Sequence, residues 1–244
     1  MNNNVGLNHK GYVVSISENA LIALVLNVME AYAIKPKGKL KSACGLEIFG
    51  SLYGFESNMA DGRTLFRIEF VSVDTSVKQA PNAVEYNTEA IVLKSQILNS
   101  FWPHYSYLGD FHSHAYSHVN DVEEVRGYFL SEGDIEDLEE NQNFYHELGA
   151  RLSLLVTVAS LHRASNTQPD WLNHYSCFSF TMSNVRVWIS ANCLYKKDGR
   201  LKYISAQDDL VFMDCPTVLG FTGEWVDFGR VQIQSKGQPR YNAI

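Results

Sequence analysis

Two pairs of residues in this chain have the types and spacing that metal-dependent catalysis needs. His112 and His114 lie two positions apart in Gly109-Asp-Phe-His-Ser-His, and Ser131 and Asp134 lie three apart in Ser131-Glu-Gly-Asp. Side chains alternate between the two faces of an extended segment, so both histidines can point at one ion. Two imidazoles and a carboxylate are typical of a catalytic zinc site, which keeps a fourth position for water.

The pair Ser131 and Asp134 has a second interpretation. A serine followed three positions later by an acidic residue is typical of a helix capping box, with Ser131 as N-cap and Asp134 at the third helical position. Both interpretations can hold together. A cap fixes the two side chains near the start of a helix, where a rigid third ligand is useful.

Hydrolysis at such a site also needs a carboxylate that is not itself a ligand, to take a proton from water and pass it to the leaving group. Glu47 is the candidate, near the start of a strand expected over residues 46–54. Its alternative is a salt bridge at the rim of the sheet. The Ser131 hydroxyl can donate a hydrogen bond to the oxyanion of a tetrahedral intermediate.

These residues together resemble the signature of the JAMM (MPN+) zinc metalloprotease family. That signature is a glutamate in E-x-x-G-x-L-x-G, followed by H-x-H and then S-x-x-D. The three parts are matched by Glu47-Ile-Phe-Gly-Ser-Leu-Tyr-Gly, by His112-Ser-His and by Ser131-Glu-Gly-Asp. The resemblance covers roughly residues 10–190.

The resemblance implies a role for each matched residue. His112, His114 and Asp134 would hold one Zn²⁺ per chain, Glu47 would be the general base, and Ser131 would be the oxyanion donor. Members of the family cleave isopeptide or peptide bonds after ubiquitin-like tails, and some prokaryotic members accompany E1- and E2-like proteins. Two alternatives stay open: a non-catalytic MPN-type binding or scaffold protein, and a zinc hydrolase of sulfur-carrier or small amide substrates.

Two features depart from the family pattern. Residues 115–130 place sixteen positions between His114 and Ser131, more than the family usually has, and Ala115 stands where the family often has proline. This connector is either a lid over the site or a tolerated surface loop. His118 within it is a possible extra ligand or an exposed loop histidine. Asp110 is either a partner that orients a ligating histidine or an ordinary strand-edge carboxylate.

Composition excludes other function classes. The chain has 244 residues, 45% of them hydrophobic, and a net charge of -7, which disfavours nucleic acid and anionic membrane surfaces as partners. No apolar run approaches the roughly 18 residues of a membrane span. The four cysteines are far apart without a C-x-x-C pair, and the first residues lack the pattern of a secretory signal. We therefore expect free thiols and a cytoplasmic location.

The hydrophobic pattern predicts a mixed α/β (α+β) fold in which helices sandwich a mixed β-sheet. The resemblance implies MPN/JAMM-like, cytidine-deaminase-like layering. We expect a JAMM-like domain over residues 1–191 and a C-terminal β-rich extension of unknown role over 192–244. Helices are predicted at about 17–32, with Ser17 as N-cap, at 87–100 and at 131–148. In the second helix Ile91, Val92, Ile97 and Leu98 are expected to face the core. Residues 120–129 could form a further short helix, and a hairpin turn is predicted at 58–63. Strands are predicted at about 11–16, 46–54, 64–74, 105–111, 151–160, 175–182 and 185–190, with short candidates at 194–196, 201–205 and 210–213.

Overall fold

The computed structural model describes residues 11–34, 45–76, 78–80, 83–85, 87–141, 151–163, 165, 169–182, 184–197, 200–208 and 210–215. The helices are α1 (Glu18–Ala33), α2 (Thr88–Phe101), α3 (Val119–Val125) and α4 (Glu132–Glu140). The strands are β1 (Tyr12–Ile16), β2 (Phe49–Asn58), β3 (Thr64–Val73), β4 (Lys78–Ala80), β5 (Ala83–Glu85), β6 (Ser106–His118), β7 (Leu152–Ser160), β8 (Asp170–Leu172), β9 (Cys177–Met182), β10 (Val185–Lys197), β11 (Arg200–Ile204) and β12 (Val211–Asp214).

One large mixed sheet organises the fold. Its strand order is β12-β1-β3-β2-β6-β7-β10-β9-β8, with β11 paired to β10 outside this path. The β1–β12, β1–β3 and β6–β7 pairs are parallel, and the remaining pairs of this sheet are antiparallel. β4 and β5 pair antiparallel in a separate two-stranded sheet. The mixed α/β architecture predicted from the sequence is therefore confirmed.

The first helix shows how sequence produces an element and a core. Ser17 caps α1 by accepting a hydrogen bond from the Ala20 amide at 3.2 Å, as the sequence predicted. Apolar residues then recur on one side of the helix and are buried. They are Ala20, Leu21, Leu24, Val28 and Tyr32. This side packs against β3 and β7 and completes the main hydrophobic core on one face of the sheet.

The strands in the centre of the sheet have two different faces. On β6, Phe111 points into the main core, whereas its neighbours Asp110 and His112 point to the opposite face. A bulge between β2 and β6, near Gly109 with its φ of 147°, sets this alternation. No side chain other than glycine's would fit at that point, because a Cβ on Gly109 would run into the Leu152 backbone.

Several predicted boundaries are wrong in detail. β2 begins at Phe49, so Glu47 precedes the strand instead of lying inside it. β6 continues past the expected end at residue 111 as far as His118, because it pairs with β7 along this length. α4 ends at Glu140, and the rest of its predicted span, from residue 142 onward, lies outside the described residues.

The second helix also differs from its prediction. The sequence placed Ile91, Val92, Ile97 and Leu98 toward the core. Ile91 is fully buried, but Val92 is 36% exposed and Ile97 is 45% exposed. α2 contacts β6, and its Ser95 lies beside Tyr53 of β2, close to the buried Ser51. The side that carries Val92 and Ile97 stays exposed.

The chain after residue 191 continues in the same sheet. β10 runs without interruption through the boundary expected at 191/192. β11 pairs with β10, and β12 lies on the far side of the sheet, parallel to β1. Residues 216–244 lie outside the described residues. Among the described helices, none is long and apolar enough to cross a bilayer.

Candidate metal centre

Two elements bring the three candidate ligands together. His112 and His114 project from one face of β6, whose extended backbone separates them by one residue. Asp134 comes from the first turn of α4, where Ser131 is the N-cap. The capping box predicted from the sequence is present: the Asp134 amide donates to Ser131 Oγ at 3.2 Å, and the Ser131 amide donates to Asp134 Oδ2 at 2.7 Å.

The side chains of these residues form a compact set that can bind a metal ion, called here the His–His–Asp group. One potential ligand atom from each of His112, His114 and Asp134 lies within 4.8 Å of the other two. His112 Nε2 lies 3.3 Å from Asp134 Oδ1, and His114 Nε2 lies 3.4 Å from Asp134 Oδ2. His112 Nε2 is buried and makes no hydrogen bond of good geometry. Both Nε2 atoms thus face the same carboxylate.

The pKa values of Asp134 and His114 depend on each other. Burial raises the pKa of the Asp134 carboxyl, but hydrogen bonds and charge from His112 and His114 outweigh this effect and hold that pKa well below its usual range. Burial lowers the pKa of His114, but Asp134 and Glu47 outweigh burial and leave that pKa raised. The carboxylate form of Asp134, which a metal requires, is therefore the stable one.

Glu47 joins the group from a separate part of the chain. Its backbone lies next to β6, because the Ser113 amide donates to the Ile48 carbonyl at 3.0 Å. Burial raises the pKa of Glu47 to about 7; the His114 imidazole opposes the rise and the Asp134 carboxylate adds to it. Glu47 is thus a half-buried carboxyl within electrostatic reach of two members of the group, as the sequence predicted. It is not itself a member of the His–His–Asp group.

Ser131 holds the Asp134 carboxylate in orientation. Its hydroxyl donates to Asp134 Oδ2 at 2.7 Å, in addition to the bond from its own amide. Two hydrogen bonds on Oδ2 fix the plane of the carboxylate and turn Oδ1 toward His112. Both sequence-level interpretations of this pair, cap and site, therefore describe the same geometry.

The connector between His114 and Ser131 is a folded segment. Residues 115–118 complete β6, and α3 follows, with Val122 fully buried against β6 and β7. Tyr128 stacks on Trp188 with ring centroids 6.3 Å apart. The short helix that the sequence allows here is α3, which ends at Val125 instead of continuing to residue 129.

The connector also approaches His114 of the His–His–Asp group through Gly127, which sequence reasoning missed. The Gly127 carbonyl accepts a hydrogen bond from Thr157 Oγ1 at 2.7 Å. The same carbonyl stabilises the protonated form of His114, although His114 Nδ1 makes no well-aligned hydrogen bond. A backbone carbonyl beside the second nitrogen of a ligating histidine is a common way to set its tautomer.

The other two candidates lie outside the group. Asp110 is fully buried on β6, and its hydrogen-bond partner is Ser153, whose Oγ donates to Asp110 Oδ1 at 2.9 Å. Burial raises the pKa of Asp110 to about 7, the Ser153 hydroxyl opposes the rise, and Asp137 adds to it. His118 is exposed at the start of α3, where its ring stacks on His162 with centroids 5.0 Å apart. Asp110 thus pairs with a serine instead of a histidine. His118 lies apart from the His–His–Asp group.

A scan against protein-family models and a search of the curated proteins found no match to this chain.

Proposed function

We propose that this protein is a zinc-dependent hydrolase of the JAMM type, which cleaves isopeptide or peptide bonds at the C-terminal tail of a ubiquitin-like protein. The observation that carries the proposal is the convergence of His112, His114 and Asp134 with the half-buried carboxyl of Glu47. These four residues come from three separate segments, so their meeting in space is far more specific than any one motif. The sequence resemblance to the JAMM signature supports the same conclusion.

The His–His–Asp group fits zinc in donor type and in spacing. Two imidazole nitrogens and one carboxylate oxygen are a recurring ligand set of catalytic zinc. Tetrahedral ligands at about 2.0–2.1 Å from zinc lie about 3.3 Å from one another. The His–Asp separations of 3.3 and 3.4 Å agree with this value. When bound, zinc would polarise the substrate carbonyl and lower the pKa of a water in its fourth position.

Glu47 acts as the proton carrier in this proposal. It takes a proton from the attacking water and returns it to the leaving nitrogen. A carboxyl whose pKa burial has raised to about 7 suits both halves of this task near neutral pH. Its position beside the ligands, but outside their set, leaves it available for the exchange.

Ser131 has two roles in this proposal. In the resting site its hydroxyl bonds to Asp134 Oδ2 and orients the ligand. During hydrolysis the same hydroxyl turns to donate to the oxyanion of the substrate. Loss of such a donor typically costs about 2.7–4 kcal/mol of transition-state stabilisation.

The partners follow from the family resemblance. We assign the substrate as a ubiquitin-like protein or its conjugate in the cytoplasm, with E1- or E2-like proteins acting on the same substrate. The extended tail would lie beside the metal and gain affinity by pairing its backbone with a strand. The mixed sheet with α1 on one face and the site on the other is compatible with the layering of the JAMM fold.

The direct test is cleavage of ubiquitin-like fusion proteins by the purified, zinc-loaded chain. Glu47→Gln keeps the size of the side chain and removes the base, so turnover should fall by about 10²–10⁴-fold while zinc stays bound. Glu136→Gln is the matched control, because Glu136 is exposed on α4 and should leave turnover unchanged. Binding of a ubiquitin-like protein without any cleavage would instead favour a scaffold role.

A further inference from the structure

The segment that carries Glu47 is fixed on both sides by neighbouring elements. On its N-terminal side the Leu46 amide donates to the Ala31 carbonyl of α1 at 3.0 Å. Gly45 presses against the backbone of Tyr32 so closely that no Cβ would fit. On its C-terminal side the segment meets β6 at Ile48. Glu47 is therefore held between two anchors, although it belongs to neither a helix nor a strand.

The anchor on β6 uses Ser113, the residue between the two histidines. Its backbone amide donates to the Ile48 carbonyl at 3.0 Å, and its hydroxyl accepts from the Ile48 amide at 3.0 Å. Both residues are buried, with Ser113 2% and Ile48 4% exposed. Ser113 thus satisfies both polar backbone groups of Ile48 at the point where regular pairing of β2 begins.

The hydroxyl bond acts directly on the orientation of Glu47. The Ile48 amide nitrogen belongs to the same rigid peptide plane as the Glu47 carbonyl. Fixing that amide therefore fixes the backbone torsion that aims the Glu47 side chain. Alternation along β6 places His112 and His114 on one face and Ser113 on the other. Residues 112–114 can therefore present two candidate ligands on one face of β6. On the other face, Ser113 can position Glu47.

We infer that Ser113 is a positioning residue that holds Glu47 in place beside the His–His–Asp group. The inference rests on the proposed function, because it gives Ser113 a role in the same reaction. It concerns geometry and not metal binding, since Ser113 is not a ligand. A misplacement of about 1 Å at a reacting group typically costs about 100-fold in rate.

The test compares Ser113→Thr with Ser113→Val, which have nearly equal volumes and differ in the hydroxyl. Ser113→Val should lower kcat by about 10–100-fold with KM and zinc affinity nearly unchanged, whereas Ser113→Thr should retain most of kcat. Ser190→Val controls for added volume, because Ser190 is also fully buried and its hydroxyl has no hydrogen-bond partner. Equal activity in Ser113→Val and Ser113→Thr would overturn the inference.

A double-mutant cycle separates positioning from a general structural effect. In the Glu47→Gln background, Ser113→Val should cause no further loss of kcat, because the residue it positions is already inactive. A further loss by the same factor as in the wild-type background would show that Ser113 acts independently of Glu47, contrary to the inference.

Amide hydrogen exchange gives a readout that does not depend on activity. In zinc-loaded Ser113→Val the Ile48 amide should exchange at least about 10-fold faster relative to the Gly50 amide than in Ser113→Thr, because its acceptor is gone. Equal exchange in the two variants would refute the anchor itself, even if no substrate is cleaved. A chain that binds zinc but shows no Glu47-dependent hydrolysis would instead count against the proposed function.

Discussion

The two faces of the central strands β2, β6, β7 and β10 share one backbone but differ in the polarity of their buried side chains. On the face covered by α1, the cross-strand row from Gly50 through Phe111 and Leu154 to Ala191 is apolar and buried. On the opposite face the next row contains Ser51, Asp110, Ser153 and Asn192. These side chains are buried as well, yet each one is polar.

The difference separates a face that stabilises the fold from a face that carries the candidate site. Burying apolar surface contributes about 25 cal/mol per Å², whereas a buried polar group costs free energy unless it is hydrogen-bonded. Several buried polar atoms on the site face, among them Ser51 Oγ, Asp110 Oδ2 and Ser190 Oγ, make no hydrogen bond of good geometry. The row from Ser51 to Asn192 therefore adds less to stability than the apolar row on the opposite face.

The largest effect should come from the apolar face. Phe111→Ala should lower the free energy of unfolding by about 3–5 kcal/mol, since its ring packs over Gly50, which has no side chain to fill the cavity. His112→Ala, one position along, should cost at most about 1.5 kcal/mol in zinc-free protein, because the contact of its Nε2 with Asp134 is weaker than a well-aligned hydrogen bond. Urea denaturation measures both. Equal losses in the free energy of unfolding for the two variants would contradict the difference between the faces.

Bound zinc should add stability through the residues of the site face. At a hundredfold excess over its Kd, zinc should raise the free energy of unfolding of the wild-type chain by about 2.7 kcal/mol. The increment should vanish in His112→Ala and persist in Phe111→Leu, which keeps the ligands and most of the buried volume. Thermal unfolding with and without zinc measures it. An increment that survives in His112→Ala would place the metal elsewhere.

A smaller effect should come from the support that Thr157 provides to the connector. Thr157→Val removes the hydrogen bond to the Gly127 carbonyl, so zinc affinity should fall by about 10-fold, the lower range for partners that orient a ligand. Stability should fall by about 1 kcal/mol. Thr157→Ser keeps the hydroxyl and serves as the control. Competition with a chelating dye measures the affinity, and equal values for the two variants would contradict the role of Gly127.

The smallest effect should come from α2. Ile97 is 45% exposed, whereas Ile91 on the same helix is fully buried. Ile97→Ala should therefore change the free energy of unfolding by no more than about 0.5 kcal/mol, and Ile91→Ala should lower it by about 2–5 kcal/mol. Denaturant unfolding distinguishes them, and a large loss in Ile97→Ala would mean that this side of α2 is covered.

Local signals in the sequence predicted the local features of the fold well. Ser17 marks the start of α1, the turn at residues 59–63 separates β2 from β3, and the Ser131–Asp134 box starts α4. Each of these depends on hydrogen bonds between residues close in sequence. For His112, His114 and Asp134 the motifs alone left other interpretations open, and the expectation that the three meet came from the family resemblance.

Features set by distant partners were not predictable in this way. The apolar pattern of α2 does not reveal that its neighbouring face of the sheet is polar, so Ile97 was placed wrongly. The parallel pairing of β12 with β1 joins residues about two hundred positions apart. The sequence assigns no role to Ser113, because its partner Ile48 lies on another segment.

Metal content tests the central claim most directly. The purified chain should contain, or take up, about one zinc per molecule by elemental analysis, as expected for a three-ligand site with an open position. His114→Ala and Asp134→Ala should each abolish this stoichiometric binding, while Glu47→Gln retains it. A wild-type chain that binds no zinc, or one whose zinc remains after either ligand is removed, would contradict the account.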